Sequence, residues 1–215
     1  MTEFIECGDL ESFILGGDAY PWGIRISMAC DIAAGMSYLH QCDIIHRDLN
    51  TNNCLVKKDN SVVVADFGLA RWSRSTKTNR SRLNSCVGSA YSSAPEMLNQ
   101  LNRSGYDNRI DIFSFGIILI QIISRISSDP DYLPRTQSFG FDVYQFITKY
   151  PDIFQYCPDY IFAIAVKSSS LQPCDRPSFI QIHDWLKSIL EIEFFQSFKV
   201  NHNPLTVIVM IYYRK

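Results

Sequence analysis

Apolar residues recur along this chain at helical spacing in two long stretches. From Trp22 to Gln41, Met28, Ala29, Ile32, Met36 and Leu39 fall on one face, which predicts a long amphipathic helix. From 109 to 126, Ile110, Ile112, Phe113, Phe115, Ile117, Ile118, Leu119, Ile120, Ile122 and Ile123 are apolar nearly all round. That pattern predicts a central buried helix. Asp111, Ser114, Gly116 and Gln121 interrupt it too often for a membrane span. Asp111 is therefore a buried carboxylate, and the backbone N–H groups of a nearby polar loop (residues 46–53) are its expected partners, because a buried carboxylate needs donors.

The shorter elements follow from caps and breakers. Residues 1–6 read as the end of a strand, broken at Cys7-Gly8. Asp9 caps a short helix to about Leu15, Gly16-Gly17 ends it, and Tyr20-Pro21-Trp22 opens the next. Residues 54–57 and 61–65 predict two short strands joined at Lys58-Asp59-Asn60. Three further helices are expected at 142–150, 158–168 and 177–191, the last with Pro177 at its start. Residues 129–136 form a proline-bounded loop. Residues 69–93 are rich in Ser, Thr, Asn and Arg without apolar periodicity, and a loop of that length is usually functional.

The tail departs from this pattern. Leu205 to Tyr213 is an apolar, β-prone run, far too short to span a bilayer as a helix. An extra strand, a partner-binding tail and an aggregation-prone segment all fit it. The preferred expectation is a stretch from outside the usual coding frame or splice. The expected division is therefore 1–193 for the globular domain and 194–215 for the tail.

Composition narrows the classes. The chain has 215 residues and a formal charge of −2. A chain of this size buries roughly 70% of its unfolded surface, enough for one sizeable core. No basic excess points to nucleic acid. The seven cysteines are scattered and odd in number, without C-x-x-C spacing. They predict reduced thiols, in the cytoplasm or nucleus, rather than disulfides or a zinc site. The first residues carry Glu3, Glu6 and Asp9 rather than the basic start of a signal peptide.

The candidate chemistry lies at His46-Arg47-Asp48-Leu49-Asn50-Thr51-Asn52-Asn53, followed by Asp66-Phe67-Gly68. Phosphoryl transfer needs a carboxylate to orient the attacking hydroxyl, and side-chain oxygens to hold magnesium against phosphates. Asp48 fits the first role, and Asn53 and Asp66 fit the second. The predicted hairpin between them would return Asp66 to the side of Asn53. Ala94-Pro95-Glu96 follows about thirty residues later, and the ordered set reads as a kinase catalytic loop, metal turn and activation segment.

On these motifs the chain resembles the C-terminal lobe of protein kinases over about residues 1–190. More narrowly it resembles the LIM-domain kinases and their testis-specific dual-specificity relatives. Residues 46–53, 63–71 and above all 129–136 followed by Phe139-Gly140 carry that likeness, and Leu49-Asn50 favours the LIM-kinase side. The resemblance implies an α+β protein-kinase-like fold: a mainly helical C-terminal lobe with short β-hairpins, its N-terminal lobe absent. It implies a serine/threonine kinase using ATP and Mg2+, with Asp48 as base and Asn53 and Asp66 as metal ligands. Thr2 would sit behind the adenine, Glu3 and Ile5 would offer hinge backbone groups, and Leu55 would form the floor. Arg47 would pair with a phosphorylated residue, for which Ser85 stands in position, and Glu96 would pair with Arg176. Substrates would be proteins, among them small actin-depolymerising, cofilin-like ones. Tyr91-Ser92-Ser93 departs from the family's Tyr-Trp-Met at the substrate platform.

The sequence contains no Gly-x-Gly-x-x-Gly and no Val-Ala-x-Lys, and its first residues read as a kinase hinge. The expectation is a lobe that transfers little phosphate without the phosphate-covering half. The alternative is an inactive lobe that acts as an interaction module.

Overall fold

The computed structural model describes residues 5–17, 20–73, 89–98, 106–155 and 157–195. Seven α-helices and four short strands occur among them, besides short 3-10 turns: α1 (Leu10–Leu15), α2 (Trp22–Gln41), β1 (Ile44–Ile45), β2 (Cys54–Val56), β3 (Val62–Val64), β4 (Arg71–Trp72), α3 (Pro95–Leu98), α4 (Arg109–Ser124), α5 (Val143–Lys149), α6 (Asp159–Ser168) and α7 (Phe179–Phe195). This is an α+β arrangement, mostly helical with two antiparallel strand pairs, as the resemblance implies.

Helix α4 forms the centre, buried without interruption from Ile110 to Ile123. It packs on α6, and α2 packs on α7. Gly116 allows the α4–α6 approach, because a Cβ there would lie 2.7 Å from the Ser169 nitrogen and 3.0 Å from the Ala165 oxygen. The α2 stripe is buried as its spacing predicts, with Met28, Ala29, Ile32 and Met36 in the core and Leu39 packed against it. Among the described residues no helix is long and apolar enough to cross a membrane.

Local chemistry sets the helix ends. The Asp9 carboxylate accepts from the Ser12 amide at 2.8 Å, and Asp142 caps α5 by accepting from the Gln145 amide at 2.9 Å. Helix α4 stops at Arg125, a non-glycine residue in the left-handed region (φ 58°). Its amide donates to the Gln121 carbonyl at 2.7 Å, and its Nε donates to the Ile14 carbonyl at 3.1 Å. Helix α7 begins at Phe179, two residues after the expected proline start. Ser178 and Gln181 form a reciprocal capping box, the Ser178 amide donating to Gln181 Oε1 at 2.9 Å and the Gln181 amide to Ser178 Oγ at 3.3 Å. A proline does open a helical turn nearby, at Pro173–Asp175.

The β2–β3 hairpin pairs Cys54 with Val64, Leu55 with Val63 and Val56 with Val62. The turn closes with the Lys57 amide on the Ser61 carbonyl at 2.8 Å. The second pair, β1 with β4, sets Ile44 opposite Trp72 and Ile45 opposite Arg71, at either end of the catalytic segment. Of the strand expected at 1–6, residues 1–4 lie outside the described residues, and Ile5 belongs to no strand. The tail run from Leu205 to Tyr213 also lies outside them.

Candidate active site

The site is built on Asp111, on the first turn of α4 and 1% exposed. Its Oδ2 accepts from the His46 amide at 2.9 Å, and its Oδ1 accepts from the Arg47 amide at 2.9 Å. The His40 Nε2 adds a third bond, 2.9 Å from Oδ2, while the Asn108 amide lies 3.3 Å from His40 Nδ1. These donors are what a carboxylate inside an apolar helix requires. They also hold Arg47 in a left-handed conformation (φ 72°), a strained state that persists where its surroundings fix it.

His46, fully buried, carries the next link. Its Nε2 donates to the Ala65 carbonyl at 3.0 Å, and its Nδ1 accepts from the Asp48 amide at 3.3 Å. A carbonyl can only accept and an amide N–H can only donate, so the ring proton sits on Nε2. The imidazole thereby ties the Asp48 loop to the residue before Asp66.

Asp48 is half-buried and well supplied with donors. Its Oδ1 accepts from Asn50 Nδ2 at 3.0 Å and from the Ser89 amide at 2.9 Å, and its Oδ2 accepts from Asn53 Nδ2 at 3.1 Å. Asn53 Nδ2 also donates to the Asp48 carbonyl at 2.8 Å. With that nitrogen committed, the amide oxygen is the Asn53 atom that would face a cation. Asn50 shapes the turn: its Oδ1 accepts from the amides of Asn52 at 2.9 Å and Asn53 at 3.2 Å, capping the helical turn Thr51–Asn53.

The hairpin returns the metal turn to this loop, the Ala65 amide donating to the Asn53 carbonyl at 2.8 Å. Asp66 follows, exposed, with φ 58°. Its Oδ1 accepts from the Gly68 amide at 3.1 Å. A Cβ at Gly68 would stand 3.1 Å from that oxygen, so the Asp66 carboxylate would have to shift to admit one. The donor set is oxygen only: one exposed carboxylate and one amide oxygen. That suits Mg2+, which binds through one or two carboxylates together with substrate phosphates and keeps several waters. Among the described residues no group of three or more His, Cys, Asp or Glu could hold a metal alone. Cys54, beneath this turn, is pushed up to about 12 by burial, so it is an inert core thiol.

The remaining candidates divide. Leu55 is half-buried on β2 and bridges to Asp9, while the Val56 amide donates to the Gly8 carbonyl at 2.9 Å. Ile5 is half-buried ahead of that segment. Thr2, Glu3 and Ser85 lie outside the described residues. Arg47 donates through Nε to Tyr106 Oη at 3.0 Å, with its guanidinium carbon 5.7 Å from that ring's centroid. Glu96 and Arg176 form a two-point ion pair at 2.5 and 2.9 Å. Arg176 also donates to the Ser170 carbonyl at 2.8 Å and the Arg109 carbonyl at 2.9 Å, and its side chain is wholly buried.

Two features were not foreseen. Glu11 on α1 accepts from Thr51 Oγ1 at 2.9 Å and from Asn52 Nδ2 at 2.9 Å, bracing the turn that carries Asn53. The platform at 89–93 is ordered by hydroxyls where the family's bulkier residues are missing. Ser93 Oγ donates to the Ser89 carbonyl at 2.7 Å, and Ser114 Oγ donates to the Ser92 carbonyl at 2.9 Å. Asn50 carried a readable signal, being a preferred capping residue before a short turn. Glu11 carried none, because its partners lie about forty residues away.

Residues 1–186 match the family described as protein tyrosine and serine/threonine kinase. The chain belongs to that family. It is 44% identical to dual specificity testis-specific protein kinase 2 of Mus musculus over 194 residues, covering 88% of this chain and 32% of that protein. It is 42% identical to the Homo sapiens protein of the same name over 197 residues, again with 88% and 32% coverage. The kinase chain described here thus spans about a third of the length of these curated relatives.

Proposed function

We propose that this kinase domain serves a protein serine/threonine kinase that moves the γ-phosphoryl group of ATP to hydroxyls on other proteins. The observation that carries the reading is the Asp48 carboxylate, held by Asn50, Asn53 and the Ser89 amide at the end of the platform. A carboxylate so placed accepts the hydrogen bond of a substrate hydroxyl and aims its oxygen at the phosphorus. Asn53 and Asp66 would hold Mg2+, which neutralises charge on the phosphates when bound. His46 keeps the two halves of the site in register, and Asp111 fixes the loop from behind. Leu55, Ile5, Glu3 and Thr2 would line the adenine, and Ser85, phosphorylated, would meet Arg47. We read residues 1–193 as this domain, working in the cytoplasm, and in the nucleus as well, on small actin-depolymerising, cofilin-like substrates.

Incubating the full-length native protein with γ-labelled ATP, Mg2+ and matched Ser, Thr and Tyr peptides tests the proposal. Label on serine or threonine is expected. The relatives carry "dual specificity" in their names, so additional tyrosine label would widen the reading. Binding of a protein substrate without transfer would replace it with the interaction-module alternative.

A further inference from the structure

Arg135, in the loop that most sharply marks this subfamily, takes no part in the chemistry described so far. Arg135 is half-buried, and desolvation of its guanidinium lowers its pKa to about 10. One terminal nitrogen donates to the Tyr91 carbonyl, in the middle of the 89–93 platform. The other donates to the Phe139 carbonyl at 3.3 Å, and Nε has no partner. The guanidinium carbon lies 5.3 Å from the centroid of Phe113, a ring that also receives Arg176 at 5.0 Å. Among the described residues Arg135 has no carboxylate partner.

The loop bearing it is firmly built. The Thr136 amide donates to the Gly140 carbonyl at 2.9 Å, the Asp142 amide to the Pro134 carbonyl at 3.0 Å, and Tyr150 Oη to the Tyr132 carbonyl at 2.9 Å. Leu133 is fully buried. Arg135 is therefore launched from a fixed base. A half-buried cation whose hydrogen-bond partners are carbonyls alone, with one buried N–H orphaned, adds little to the fold beyond its contact with the Phe113 ring, since desolvation opposes it. What it does uniquely is grip the platform backbone. The platform has one bond to the base, Ser89 amide to Asp48, and one to this loop, Tyr91 carbonyl to Arg135.

We propose that Arg135 is a positioning residue for the acceptor, setting the distance and angle at which the 89–93 backbone presents a substrate hydroxyl to Asp48. The proposal rests on the kinase reading for its consequence but not for its structural content.

The test uses the full-length protein with Arg135→Met, which keeps the stem over Phe113 and removes every donor. Arg135→Lys serves as the second variant, keeping charge but losing the fork that reaches two carbonyls at once. The expected result is a kcat/KM for acceptor peptide lowered between about tenfold and a hundredfold, the range a small misplacement of the acceptor can cost. The KM for ATP and the melting temperature should hold. Amide exchange over 89–93 should quicken while exchange over 44–56 stays as in wild type. An unchanged acceptor kcat/KM would overturn the proposal, as would a parallel rise in the KM for ATP and fall in melting temperature. If the wild type transfers no phosphate, the kinase reading fails on that result alone, and unchanged exchange over 89–93 then overturns the Arg135 grip separately. Should Arg135→Met not fold, Arg135→Lys carries the same comparisons.

Discussion

The catalytic turn at 44–53 and the acceptor platform at 89–93 both bury polar groups, but different bonds hold them. The turn hangs on a carboxylate: Asp111 takes two backbone amides and a histidine, and Glu11 takes two side chains from the same turn. The platform hangs on hydroxyls, a carbonyl and one guanidinium. Bonds with an ionised donor or acceptor are worth about twice those between neutral groups, and Asp111 and Glu11 supply five such bonds here against two at the platform, Ser89 to Asp48 and Arg135 to Tyr91. The turn is thus held the more tightly and the platform the more lightly. On the proposed function that division is useful, because Asp48 must not move while the platform meets varied chains.

The largest effect should come from cutting the turn's anchor. Asp111→Leu strands the His46 and Arg47 amides and should cost about 3–5 kcal/mol, the range for breaking a buried charged network. A urea midpoint at constant slope measures it, and a loss below about 1 kcal/mol would erase the contrast. Glu96→Ala leaves the wholly buried Arg176 charge without its carboxylate, for a loss approaching the same ~3–5 kcal/mol. The double variant with Arg176→Met should cost less than the two single losses added, since it removes both charges. On the platform, Ser93→Ala removes one hydroxyl bond and should cost only about 1 kcal/mol. A Ser93 loss as large as that at Asp111 would show the two regions to be built alike.

The smallest effect concerns pH. Burial works to raise the Asp107 carboxyl, but hydrogen bonds from Arg109 outweigh it and hold the group below its ordinary value. A depressed carboxylate stabilises the fold above its unfolded pKa, and that contribution is lost as pH falls through the folded value. Asp107→Asn should therefore differ from wild type at neutral pH, and the two should converge below about pH 4. A gap that stayed constant with pH would assign the pair no ionic role.

Much of this was readable in advance for physical reasons. An all-round apolar helix has only one place to go, and α4 occupies it. A lone carboxylate inside it must find donors, so Asp111 could be matched to the loop backbone before any contact was seen. The hairpin's apolar strands and its Lys58-Asp59-Asn60 turn likewise implied Asp66 returning toward Asn53. Other features left no trace. The two-residue strands β1 and β4 are too short to show a period. The α7 start was placed at Pro177 because proline is a loud signal, whereas the Ser178–Gln181 box decided it. Whether an arginine such as Arg135 reaches solvent or turns inward depends on the ring beneath it, which spacing does not encode. Glu11 meets its turn across a fold that only tertiary structure closes.

The central claim is that Asp48 orients the attacking hydroxyl, and the most direct measurement is single-turnover phosphate transfer by the full-length protein carrying Asp48→Ala. Transfer should fall by about 10²–10⁴-fold or more, the usual contribution of a positioned acid–base group, with ATP affinity unchanged. Transfer at the wild-type rate would contradict the account.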